Sequence, residues 1–164
     1  MKYAITGHTQ GIGKRFFERY NPNVIGFSKS TGYDITNQID RARIINESLE
    51  CDIFINNAHD EFGQTLILID LFKKWHFDSS KTIINIGSRV TEVTIPINRY
   101  DLLNYQIGKI SLKNASLQFS NMGQCQIKYK TFGYVGTKKI LEKYPHFTKE
   151  NYITEDQAID IILS

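Results

Sequence analysis

The stretch Thr6-Gly7-His8-Thr9-Gln10-Gly11-Ile12-Gly13 sets its glycines between the apolar, β-prone run Tyr3-Ala4-Ile5 and a segment in which Ile12, Phe16 and Phe17 recur at helical spacing. Glycine has no Cβ to hold a ligand off the backbone, and the amides of a helix's first turn attract phosphate oxygens. A strand, a glycine turn and a helix start in that order suit a dinucleotide. An ordinary strand-to-helix turn would carry the same letters, and the spacing is not G-x-G-x-x-G. Farther along, Tyr105 and Lys109 stand four apart in a segment of helical pattern, so their side chains emerge on one face, one turn from each other. A phenol with an ordinary pKa of about 10 is a poor proton carrier near neutrality. Lowering it by about 3 units takes roughly 4 kcal/mol of preferential stabilisation of the phenolate, and a neighbouring ammonium acts in that direction. A surface pair would show the same spacing.

These residues need elements to hold them. After the first helix, Asn21-Pro22-Asn23 reads as a turn and Val24-Ile25-Gly26-Phe27 as a short strand ending in Ser28-Lys29-Ser30. A brief third strand is expected around Tyr33-Asp34-Ile35, a helix from Ile39 to Leu49, a strand over Asp52 to Asn56, and a helix from Thr65 to Trp75. The β-branched run in Lys81 to Gly87 reads as a strand, Leu102 to Phe119 as a long helix, and Gln126 to Thr131 as a strand with one side exposed. Thr154-Glu155-Asp156-Gln157 has the capping-box pattern and opens a closing helix through Leu163. Strands alternating with helices predict a Rossmann-type α/β fold, a doubly wound parallel sheet of about six strands between two helical layers. In such sheets ligands collect at the carboxyl ends of the strands, where Gly7 to Gly13, Ser28-Lys29, Asn56-Asn57, Ser88 and the loop Phe132 to Thr137 all fall.

The bulk composition narrows the function classes. At 164 residues the chain is expected to form a single domain, residues 1–164, and 41% hydrophobic with 23% charged residues is ordinary for a globular protein. A net charge of +3, dispersed among acids, gives no nucleic-acid surface. Cys51 and Cys125 lack the paired spacing of a zinc or redox motif, and the four histidines show no metal-site spacing, so no metal is expected. With no leader-like segment and no apolar run of membrane-spanning length, a cytoplasmic location and no membrane partner follow by elimination.

Taken together the residues resemble the short-chain dehydrogenase/reductases of the classical type. Thr6-Gly7-x-x-x-Gly11-Ile12-Gly13 is similar to the family's cofactor loop, Asn56-Asn57-Ala58 to its structural motif, Ser88 to its active-site serine, and Tyr105-x-x-x-Lys109 to its catalytic pair. Phe132-Gly133-Tyr134-Val135-Gly136-Thr137 is similar to the loop that closes over the nicotinamide. The departures are His59 where the family usually has glycine, Phe132 in place of the loop proline, and a short stretch from Asn57 to Ser88. That stretch has lost part of the helix that normally supplies a catalytic asparagine, for which Gln64 could stand in. The usual last strand and substrate-binding insertion are also absent from this sequence, which looks like a minimal member.

The resemblance implies an oxidoreductase that moves hydride between a nicotinamide and a carbonyl or alcohol substrate. Ser88 would hold the carbonyl, Tyr105 would donate the proton, and Lys109, helped by an oxidised nicotinamide, would lower the phenol's pKa and bind the ribose. Cofactor contacts would come from Gly7, Thr9, Gln10, Gly11, Ile12, Gly13, Ser28, Lys29, Asp34, Ile35, Asn57, Ala58, Tyr105, Lys109, Gly133, Val135 and Thr137. Ser28-Lys29, a hydroxyl beside a cation, suits the 2′-phosphate of NADP better than the bare ribose of NAD, so NADP is the expected cofactor; the competing reading of Lys29 is a solvated loop residue. His8 and His59 are expected to line the cofactor cleft rather than act as bases, and Asp60 and Glu61 to lie near it. Association as a homodimer or homotetramer is expected. The alternative is a dinucleotide-binding module with little turnover, serving a sensor or assembly role.

Overall fold

The computed structural model describes residues 1–96 and 98–164, and of residue 101 the backbone. Five strands, β1 (Tyr3–Thr6), β2 (Val24–Phe27), β3 (Ile53–Asn56), β4 (Thr82–Ile86) and β5 (Gln126–Lys130), form one parallel sheet in the order β2-β1-β3-β4-β5. The helices are α1 (Gly11–Tyr20), α2 (Gln38–Ser48), α3 (Gly63–Trp75), α4 (Tyr100–Phe119), α5 (Lys138–Lys143) and α6 (Glu155–Leu163). Among the described residues none is long and apolar enough to cross a membrane.

β1 to β4 read as largely apolar runs because both faces of a parallel sheet are covered, while β5, at the edge, alternates polar and apolar. Their side chains alternate between two cores with period two. Ala4, Phe54 and Ile83 point to one side, where Ile44 of α2, Leu68 and Leu71 of α3 and Leu112 of α4 close over them. Tyr3, Ile5, Ile55 and Ile84 point to the other, against Phe16 of α1 and Ile159 and Ile162 of α6. Arg15 donates to both carboxylate oxygens of Asp156 at 2.9 Å and Arg19 to Asp160 at 2.9 Å, so α6 is fastened to α1 along its polar edge. The capping box at Thr154 and Gln157 forms as its sequence requires.

The strand expected at Tyr33-Asp34-Ile35 does not form, which leaves five strands rather than about six. Ser28 and Thr31 close a capping box around a 3-10 turn, Lys29–Thr31, and Gly32 then turns the chain with φ +86°. The Asp34 carboxylate accepts from the Thr36 amide at 2.9 Å and hydroxyl at 2.7 Å. These local side-chain bonds replace the ladder partners a strand would need. The sheet order reverses around β1, with β2 on one side and β3 on the other, so a crevice opens beyond the carboxyl ends of β1 and β3.

Candidate active site

The crevice begins at the glycine turn between β1 and α1. Gly7 and Gly11 have φ of +76° and +52°, in the left-handed region where a side chain is strained. Gly13 is required by contact: a Cβ there would lie 2.1 Å from the Gly7 carbonyl oxygen. The turn is braced from β3. The amides of Asn57 and Ala58 donate to the Thr6 hydroxyl at 3.0 and 2.9 Å, and the Asn57 side chain donates to the Thr6 carbonyl at 2.9 Å. Helix α1 then starts with no side-chain cap from Gln10 and no acid in its first turn. Its leading amides therefore face the crevice without a competing anion of their own.

Of the residues read from the sequence as cofactor contacts, Gly7, Thr9, Gln10, Ser28, Lys29, Asp34, Ile35, Asn57 and Ala58 line a cavity of about 510 Å³ on the β2 side of this turn. Thr9, Gln10, Gly11 and Thr137 border a second, of about 760 Å³, with Lys14 and Lys138 at its rim. The Thr137 methyl packs 3.2 Å from where a Gly11 Cβ would stand. Ile12 and Val135 instead pack in the apolar core beside α6, and Gly133 lies exposed next to Arg89. His59 lines the first cavity as expected. His8 packs on Phe17 and over Gly26, with Nδ1 3.1 Å from the Ser28 hydroxyl. Lys29 is not a free loop cation: its ammonium meets Asp34 at 2.8 Å and Asp60 at 3.3 Å.

The candidate catalytic residues come from β4 and α4. Ser88 follows β4 and caps a 3-10 turn, Arg89–Glu92, its hydroxyl accepting from the Val90 amide at 3.2 Å. Tyr105, on α4, lies near enough to the Ser88 hydroxyl for it to favour the phenolate. Its ring stands edge-on to His59, with centroids 4.6 Å apart. Gly108 permits that approach, since a Cβ there would lie 3.1 Å from the imidazole and 2.7 Å from the Glu61 carbonyl. His59 thus joins Tyr105 to the cavity wall. Burial and the Lys109 charge hold the imidazole's pKa down to about 4, so the ring is neutral near pH 7.

Lys109 departs from the arrangement expected of it. Its ammonium is buried, 5.6 Å from the Tyr105 ring centroid, and donates to Gln64 Oε1 at 2.9 Å and the Ile86 carbonyl at 2.8 Å. Burial pushes its pKa down to about 7. With the ammonium turned to these acceptors, burial dominates at Tyr105 and raises the phenol's pKa, with the nearby Ser88 side chain opposing it. The lowering expected from a facing ammonium is absent from this geometry. Gln64 sets it. Its amide nitrogen donates to the Asn56 and Ile86 carbonyls, so only its oxygen remains for Lys109.

The helix bearing Gln64 was expected from Thr65, but α3 begins at Gly63, which packs so tightly on Ile35 that a Cβ would lie 2.7 Å from the isoleucine side chain. Tyr129 was not anticipated at all. From β5 it covers Gly87, where a Cβ would overlap its hydroxyl, and its Ile127-x-Tyr129 alternation was the available signal.

No protein-family sequence model matches the chain, and no curated protein sequence does. Solved structures do. The chain is similar to a short-chain dehydrogenase from Burkholderia cenocepacia in complex with NADP (TM-score 0.74, 18% identity, 99% of this chain and 84% of that one). A closed form of serine dehydrogenase complexed with NADP+ matches with a TM-score of 0.77 at 15% identity, over 99% of this chain and 88% of that one. The bulky-bulky ketone specific alcohol dehydrogenase from Comamonas testosteroni gives 0.74 at 16% identity, over 99% and 81%. The chain has the short-chain dehydrogenase/reductase fold. In that fold the ends of β1, β3 and β4 gather the glycine turn, the Asn57-Ala58 brace and Ser88 at one edge of the sheet, with Tyr105 facing them from α4.

Proposed function

We propose that the protein is an NADP-dependent oxidoreductase acting on a small-molecule carbonyl or alcohol. The observation that carries this reading is a shared neighbour: His59 lines the cavity beside the uncapped start of α1 and packs edge-on against Tyr105, so one imidazole separates the phenol from that cavity. The residues fit a dinucleotide. A Cβ at Gly7 or Gly13 would collide with Asn57, Ala58 or the Gly7 carbonyl and distort the turn, and α1 offers its leading amides to a pyrophosphate. NADP in two of the solved structures of like fold supports the choice of cofactor.

When bound, the nicotinamide supplies or accepts the hydride. Gly11, Ile12 and Gly13 would hold the pyrophosphate through their amides. The Ser88 hydroxyl, which accepts from the Val90 amide, would donate to the substrate oxygen and orient it. Tyr105 would deliver its phenolic proton to that oxygen in reduction and recover it in oxidation. Lys109, with two of its three N–H bonds taken by Gln64 and Ile86, keeps one for a ribose hydroxyl. Through Gln64 it also ties α4 to the start of α3.

A second reading, a dinucleotide-binding module with little turnover, draws support from the raised Tyr105 pKa and the withdrawn Lys109 ammonium. Titration with NADPH followed by a screen of carbonyl substrates separates the two. Oxidation of NADPH that falls at least about a hundredfold in Tyr105→Phe is the expected result for general acid catalysis. Tight binding with no Tyr105-dependent oxidation across the screen favours the module.

A further inference from the structure

Among the described residues, the charged side chains lining the 510 Å³ cavity are Lys29, Asp34 and Asp60. They form one cluster. Lys29 comes from the end of β2 and Asp60 from the loop after β3, so their 3.3 Å ion pair spans the cavity from wall to wall. Asp34 holds the same ammonium at 2.8 Å, but its other oxygen is fixed by Thr36, and its pKa is lowered to about 2 by Lys29 and Thr36. The Asp60 carboxylate has no such anchor: among the described residues, its hydrogen-bond partner is Lys29. A second bond, Ser30 hydroxyl to Thr9 hydroxyl at 3.2 Å, crosses the same mouth.

The cluster therefore carries one positive charge against two negative ones, at the place where Lys29 alone would have welcomed a phosphate. We propose that Asp60 is a specificity-determining residue whose carboxylate occupies, on Lys29, the position a 2′-phosphate oxygen would take. The choice between phosphorylated and unphosphorylated dinucleotide is then a competition between two anions for one ammonium. A phosphate brings up to two charges and three acceptor oxygens, so it displaces the longer, singly bonded carboxylate of Asp60 while Asp34 keeps its place. An unphosphorylated ribose has no anion to offer Lys29 and leaves the competition untouched. This inference rests on the dinucleotide reading of the cleft.

The test is binding, not turnover. NADPH and NADH are titrated separately into the parent, Asp60→Asn, Lys29→Met and the double variant, and dissociation constants are read from nicotinamide fluorescence at low and at physiological ionic strength. Asp60→Asn is expected to tighten NADPH about two- to fivefold, the range of an exposed ion pair, and to leave NADH within about twofold. In the Lys29→Met background the Asp60 change is expected to lose most of this selectivity, and added salt to shrink it throughout. Equal shifts for both nucleotides, or no shift for either, would overturn the role of Asp60 while leaving the dinucleotide site standing. If neither nucleotide binds the parent, the dinucleotide reading falls and the inference with it.

Discussion

Lys109 carries its ammonium into a pocket of carbonyl and amide oxygens, and this has a consequence for stability. Its pKa is near 7 in the folded chain and 10.5 in its ordinary state. Between those values the unfolded chain binds more protons, so raising the pH favours folding. Below about pH 7 both states hold the proton and the burial cost is fully present. Urea unfolding midpoints of the parent should therefore rise from pH 7 to pH 9 relative to Lys109→Met, with a slope of at most about 1.4 kcal/mol per pH unit. Parallel curves would contradict the buried ammonium. His59 works in the same sense at lower pH: its pKa falls from 6.5 to about 4 on folding, so its contribution is lost as the pH drops through that window. Gln64 is the partner that makes the Lys109 pocket tolerable. Gln64→Leu removes the side-chain donor to the Asn56 carbonyl and one of the ammonium's two acceptors, leaving it the Ile86 carbonyl alone, and should cost about 2–4 kcal/mol in the same assay. A change under about 0.5 kcal/mol would show that water or the substrate side serves Lys109 instead.

At the scale of elements, the glycine turn is fixed by contact more than by conformation. Gly13→Ala drives a methyl into the Gly7 carbonyl and should destabilise the protein by about 1–3 kcal/mol, together with loss of nucleotide binding. Gly32→Ala, at φ +86° in open space, should cost about 1–2 kcal/mol and leave binding unchanged. Thermal melts and a nucleotide titration of the two variants distinguish these causes. The turn, the sheet's apolar runs and the capping box of α6 were legible in the sequence because each is set by local residue type and period. Tyr105 and Lys109 were legible as a pair on one helical face. What was not legible depended on distant partners. Asp34 chose Thr36 over a strand ladder, Gln64 bonds Asn56, Ile86 and Lys109 from three other elements, and the Lys29–Asp60 pair joins two separate loops. No spacing rule contains those contacts.

For the whole molecule, α3 and α4 lie side by side and leave Leu66, Ile107, Ile110 and Leu117 exposed. Apolar positions on neighbouring helices fit a symmetric contact between copies. Ile110→Asp should convert an associated species to monomer in sedimentation equilibrium at micromolar concentration, and a parent already monomeric there would contradict this. The central claim concerns where the dinucleotide lies. A crystal structure with NADPH bound tests it most directly. The account predicts pyrophosphate oxygens within hydrogen-bond distance of the α1 first-turn amides, with the nicotinamide beside Ser88 and Tyr105. A fully occupied nucleotide lying elsewhere, or a cleft that stays empty at saturating NADPH, would contradict it.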